Sequence, residues 1–284
     1  MRVLQAKTKR PLDLLAIGAG GHIAAASSEF GVRGDVEVWE STKSDRVYTH
    51  TGASGEVNSL AFSPDGKCLF MGNVNAATIL DLASHNPLPT PHVAFGFPEF
   101  SFSVDGSRLL MAESANNQSL VKCFTVEGEW AFRELWVINP TQRVLFGHPA
   151  LSKDGKWAAV SVHDWSRDRV RNHVNIYDPK TGKILVGIAF DPTGANPILQ
   201  LCFSADGTKL LIRAAGRTVK IFDVATGQAA GELLHPGRPY VTGMAVHPNG
   251  TIACSRNNGT VCLWNLETHE LVRTLDWKLG KLVS

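Results

Sequence analysis

Short apolar stretches separated by polar turns recur along the chain, with similar punctuation each time. Leu60-Ala61-Phe62 is followed by Ser63-Pro64-Asp65-Gly66 and then by Cys68-Leu69. The pattern returns as Phe100-Ser101-Phe102 before Ser103-Val104-Asp105-Gly106, and as Ala150-Leu151 before Ser152-Lys153-Asp154-Gly155. Leu201-Cys202-Phe203 precedes Ser204-Ala205-Asp206-Gly207, and Met244-Ala245-Val246 precedes His247-Pro248-Asn249-Gly250. A degenerate sixth copy lies upstream, where Leu15-Ala16-Ile17 runs into Gly18-Ala19-Gly20-Gly21. Apolar runs of this length bounded by Asp-Gly or Asn-Gly predict paired antiparallel strands. A tight reversal needs residues that accept positive φ, which Gly and Asn do at least cost.

The turn glycines Gly21, Gly66, Gly106, Gly155, Gly207 and Gly250 are separated by 45, 40, 49, 52 and 43 residues. Each interval holds two further strands. The third ends at Trp39-Glu40, Leu80-Asp81, Phe124-Thr125, Tyr177-Asp178, Phe222-Asp223 or Trp264-Asn265. A second turn often follows, as in Asp178-Pro179-Lys180-Thr181-Gly182, and then an outer strand such as Ile184-Leu185-Val186. Four strands per period predict an all-β chain of repeated four-stranded sheets. A β-sandwich with similar turns is the competing arrangement, and sandwiches do not keep this period.

Ser-Pro-Asp-Gly turns combined with third strands ending in Trp-Glu, Tyr-Asp, Phe-Asp or Trp-Asn resemble WD40 repeats. The resemblance covers nearly the whole chain. It implies a single β-propeller domain over 1–284, with blades of four antiparallel strands. Six complete repeats fall at about 11–50, 55–92, 97–138, 146–190, 197–235 and 240–276, with strand remnants at 1–8 and 279–284. Six blades closed with help from a terminal strand is the main reading. An incomplete seventh blade, or one supplied by another chain, is the alternative; it would make an oligomer or a piece of a longer array. The copies depart from the family pattern in their polar positions. Gly147-His148 is the candidate remnant of the family's Gly-His pair, and no repeat ends in Trp-Asp. Asp35 is the candidate for the family's aspartate before the third strand; Asn75, His173, Arg217 and Gly259 stand near the equivalent places. Apolar packing between blades is therefore expected to carry much of the stability otherwise assisted by a His–Ser–Asp–Trp network.

Composition adds limits. Of 284 residues, 44% are hydrophobic and 19% charged, which excludes a disordered chain. Lys+Arg 28 against Asp+Glu 26 leaves a net charge of +2, too little to draw the protein to nucleic acid or an acidic membrane. Cys68, Cys123, Cys202, Cys254 and Cys262 form no CxxC pair and read as buried thiols in a reducing cytoplasm. The segment Leu12–Ala26 superficially resembles a secretory leader, but Asp13, His22 and Gly20-Gly21 interrupt it. No apolar run approaches the length of a membrane span.

Function is expected on one face. In a propeller the loops from strand two to three and from strand four to the next strand one share a face, and variable loops on a rigid scaffold carry recognition. The longest such insertion, His163–His173, contains Trp165, Arg167, Arg169 and Arg171. Arg33, Arg213, Arg217 and Arg256 fall on the same face. Seven arginines there meet five carboxylates, Glu29, Asp35, Glu113, Asp164 and Asp168. Arginine and tryptophan offer planar hydrogen bonding and contact area, so the face suits a protein or peptide partner with an acidic or phosphorylated segment. The bland reading is that these arginines pair with Asp164 and Asp168 in a solvated loop. Phe95, Phe97, Phe146, His148, His235, Tyr240 and Trp277, in the connections that lead to each first strand, either plug the inter-blade core or line a central pocket. Catalytic motifs are absent: there is no Gly-x-Ser-x-Gly, His-Glu-x-x-His or phosphate-binding glycine loop. No cofactor is expected. The rival reading is a metal-dependent propeller hydrolase that uses His148, His163, His173 and His235 at the channel mouth.

Overall fold

A computed structural model describes residues 6, 12, 14–27, 34–42, 45–51, 57–74, 76–94, 96–115, 118–128, 130–139, 144–165, 171–191 and 196–276. These residues form twenty-four strands and no helix, grouped as six four-stranded antiparallel sheets, the blades of a six-bladed β-propeller. Blade I comprises β1 (Leu14–Ile17), β2 (His22–Ala26), β3 (Asp35–Glu40) and β4 (Asp45–Thr51). Blade II comprises β5 (Val57–Phe62), β6 (Cys68–Asn73), β7 (Ala76–Asp81) and a two-residue β8 (Pro87–Leu88). Blade III holds β9 (Phe97–Phe102), β10 (Arg108–Ala115), β11 (Gln118–Glu127) and β12 (Ala131–Ile138). Blade IV holds β13 (Val144–Leu151), β14 (Ala158–Asp164), β15 (Arg171–Tyr177) and β16 (Ile184–Asp191). Blade V holds β17 (Ile198–Phe203), β18 (Lys209–Ala214), β19 (Thr218–Asp223) and β20 (Ala229–Leu234). Blade VI holds β21 (Val241–Val246), β22 (Thr251–Arg256), β23 (Thr260–Asn265) and β24 (Leu271–Asp276). The expected terminal strand remnants lie outside the described residues, apart from Ala6.

The chain divides into two compact units, 1–137 and 138–284. Within each, blade packing follows from strand alternation. Successive side chains of β6 point to opposite faces. Leu69 and Met71 join Ala24, Ala26, Val36 and Val38 of blade I, while Cys68 and Phe70 join Leu109, Met111 and Phe124 of blade III. Both faces are covered, so every residue of β6 is buried. Phe70 is the centre of an aromatic cluster, edge-on to Phe102 at 4.7 Å and to Trp130 at 5.5 Å. In the second unit, Ile176, Ile188 and Phe190 of blade IV pack on Leu210, Ile212 and Phe222 of blade V. Leu211, Ile221 and Leu233 of blade V pack on Ile252, Cys254 and Trp264 of blade VI.

In blades II to V the turns between first and second strands repeat bond for bond. In blade II, Gly66 N donates to Ser63 O at 2.8 Å with φ +70°, and Ser63 Oγ donates to Asp65 Oδ1. Asp65 Oδ1 also accepts from Lys67 N, and Ser63 Oγ accepts from Cys68 N. Ser103/Asp105, Ser152/Asp154 and Ser204/Asp206 make the same turn. The amide and hydroxyl donors to these carboxylates hold all four aspartates below their usual pKa against the opposing effect of burial. The turns between third and fourth strands form a second class. Gly182 and Gly227 donate back to Asp178 and Asp223 with positive φ, and His85 and His269 do the same to Asp81 and Asn265 at φ +59° and +58°.

Candidate functional site

The loops from strand two to three, and the connectors from strand four to the next blade, lie opposite these stereotyped turns. In blade IV the antiparallel register sets Asp164 across from Arg171 and His163 across from Asn172. His163 Nδ1 donates to Asn172 Oδ1, and its ring stands edge-on to half-buried Trp165 at 4.5 Å. Asn172, 2% exposed, donates through Nδ2 to Asn196 O at 2.8 Å. Asp191 accepts from Asn196 N and Nδ2, so the IV–V connector is fastened to blade IV. Val162 across from His173 places that imidazole on the other face of the sheet, where burial depresses its pKa. Asp164, Arg171, His173 and Ile188 line a cleft of about 530 Å³. Arg171 is exposed; Arg33, Arg167 and Arg169 lie outside the described residues.

The remaining predicted arginines gather at the junction of blades V and VI, around the connector 235–240. Arg213 donates to Gln200 Oε1, Leu199 O and Val241 O. Gln200 in turn bridges to blade VI through Met244 O and Met244 N. Arg217 Nη1 donates to Gly237 O at 2.5 Å, while the rest of this side chain is exposed. Arg256, 6% exposed, donates to Thr260 Oγ1 and to Pro236 O. Beneath them His235 is 1% exposed and stands edge-on to Trp264 at 4.9 Å. Burial, and secondarily the charge of Arg256, push His235 down to about 4. This histidine and tryptophan occupy the region where the family network is expected, yet neither ring makes a hydrogen bond to the described residues.

Blade III fastens its connector with charges instead. Lys122 Nζ meets Glu113 Oε1 at 2.7 Å and also donates to His92 O. Glu113 Oε2 accepts from Ala94 N at 2.7 Å. Both side chains are buried. The sequence pattern places Glu113 among the carboxylates of the loop face and does not single out Lys122. The available signal was a lysine inside Leu120-Val121-Lys122-Cys123-Phe124 and a glutamate inside Met111-Ala112-Glu113, charges in otherwise apolar strands.

Of the aromatic and imidazole groups in the connectors, Phe146 and His235 are buried and Tyr240 is 52% exposed; Phe95 and Trp277 lie outside the described residues. His148 sits at a bulge of β13 with φ +45°. Among the described residues no group of three His, Cys, Asp or Glu side chains is placed to hold a metal ion. The five thiols are free, and burial pushes Cys68, Cys123 and Cys254 up to about 12 and Cys202 to about 11. Protonated thiols in apolar surroundings are poor nucleophiles.

Repeated four-stranded blades, bonded turns on one face and individual loops on the other define a repeat propeller. The chain is similar to WD40 repeats: the family model described as "WD domain, G-beta repeat" matches residues 44–75 and 231–265. Each match begins in the outer strand of one blade and continues into the next, so a sequence repeat stitches neighbouring blades together. The chain is also 30% identical over 119 residues to WD repeat domain-containing protein 83 of Rattus norvegicus. That match covers 41% of this chain and 36% of the relative's length.

Proposed function

We propose that the chain is a non-catalytic scaffold that binds a partner protein or peptide on its loop face. The observation that carries this reading is the contrast between the two faces. Turns between strands one and two, and between three and four, use their polar groups on one another. The opposite loops differ from blade to blade and present Arg171, Arg217, Arg238 and Tyr240 to solvent. Arginine and tyrosine on a rigid frame are favoured contact residues at interfaces. A partner with an acidic or phosphorylated segment suits the arginines. Affinity purification of the full chain, followed by identification of retained proteins, tests the reading. Replacing Arg167, Arg169 and Arg171 together by alanine should lower retention several-fold and leave the Tm nearly unchanged. Retention of no protein by the folded chain would overturn the scaffold reading; unchanged retention would remove the blade IV loop from it.

A further inference from the structure

Among the described residues, the V–VI junction concentrates positive charge without a counter-ion. Arg213, Arg217 and Arg256 donate to the carbonyls of Val241, Gly237 and Pro236, so three guanidinium groups bracket one connector. Arg238 is the next residue along it and is exposed. The three loops that meet here, 214–217, 235–240 and 257–259, contain no aspartate or glutamate. Among the described residues none of the four arginines forms an ion pair. Asp276 is the carboxylate nearest in register, across from Thr260 on β24, and is exposed. Glu232 stands across from Lys220.

Neutral acceptors alone are an unusual setting for buried cations. Arg256 is almost wholly removed from water, and desolvating an unpaired charge is costly. The arrangement persists because carbonyl oxygens solvate the guanidinium groups in part, but their net charge remains unmatched. An anion arriving from solvent would meet the exposed side chains of Arg217 and Arg238, while buried Arg256 is bonded to the same connector. Tyr240, tied through its backbone to Asn257, offers a half-exposed ring beside them.

Resting on the scaffold reading, we infer that this junction is the seat for a phosphorylated residue carried by an extended segment of the partner protein. Four arginines exceed what one carboxylate balances, whereas a phosphoryl group brings close to two negative charges and three acceptor oxygens. Planar guanidinium forks match those oxygens in pairs. The seat lies open at the surface, which suits a group presented by a larger body, and Tyr240 gives the flanking residue of that segment a face to stack on.

Fluorescence anisotropy with a phosphoserine peptide pool of randomised flanks, and with the same pool unphosphorylated, tests the assignment on the full chain. The phosphorylated pool should bind about ten-fold tighter or better, and the gain should shrink as salt rises. R217A/R238A should abolish the difference with an unchanged Tm. Should that variant unfold, R217Q/R238Q keeps an amide donor for Gly237 O and should show the same loss. Equal binding of both pools, or a difference that survives R217A/R238A or R217Q/R238Q, overturns the seat. So does binding of inorganic phosphate or of phosphoinositide-containing vesicles without preference for the phosphopeptides. If the seat fails while retention of proteins still depends on the blade IV arginines, the scaffold reading stands; retention of no protein at all removes both.

Discussion

Gly66 and Gly250 occupy the same step of the same turn, at φ +70° and +83°, but their surroundings differ. A Cβ on Gly66 would stand 2.6 Å from the backbone nitrogen of Gly20 in the neighbouring turn, whereas a Cβ on Gly250 would meet nothing within 4 Å. Gly250→Ala should therefore cost about 1 kcal/mol, the conformational penalty alone. Gly66→Ala should cost clearly more, because backbone must move as well; urea unfolding of the two variants measures the gap. These glycines were legible in the sequence because Asp-Gly names a conformation. His85 and His269 were not. They adopt the conformation that Gly182 and Gly227 hold in sister turns, and a histidine does not announce positive φ. Their rings are used across blades, His85 against Tyr48 and His269 over Gly231, where there is no Cβ to obstruct it.

At the level of strands and connectors, the apolar alternation and the spacing of turns placed the inner strands of every blade. The shortest element, β8, follows from chemistry as well: Pro87, Pro89 and Pro91 remove amide donors that an outer strand needs. What alternation could not convey is how each connector is anchored. Apolar packing does dominate between blades, as expected from the degenerate polar motif, yet blades III, IV and VI each add a different polar fastening. Glu113 and Lys122 illustrate the energetic consequence. Glu113→Ala leaves a buried ammonium without its partner and should destabilise by about 3–5 kcal/mol. Replacing both by methionine should cost less, since no uncompensated charge remains. Thermal unfolding of the single and double variants decides this; a double variant less stable than Glu113→Ala would contradict it. Glu113→Ala also releases Ala94 N, so hydrogen exchange should rise at Ala94.

For the whole molecule, acid stability links the two faces of the fold. His235 titrates near 4 when folded and near its ordinary 6.5 when unfolded, so the unfolded chain binds more protons between those values. Its contribution is complete above pH 6.5 and is lost as pH falls toward 4, by about 3 kcal/mol at most. His235→Phe should flatten the stability curve in that window while leaving the further loss below it. Asp65, Asp105, Asp154 and Asp206 contribute to that lower loss, together with Asp81 and Asp223, because their depressed pKa values stabilise the fold above the ordinary carboxylate range and cease to do so as they protonate. A pH series of urea midpoints separates the two contributions. The sequence alone determined the all-β class, the six repeats, the turn chemistry and the burial of most thiols, because each rests on neighbours in the chain or on a period of two. Tertiary structure decided which charges are spent and which are left over. Arg213, Arg217 and Arg256 looked equivalent to Arg171 as loop-face cations. Only the approach of blades V and VI, twenty or more residues apart in sequence at each contact, folds three of them onto one connector without a carboxylate to match among the described residues.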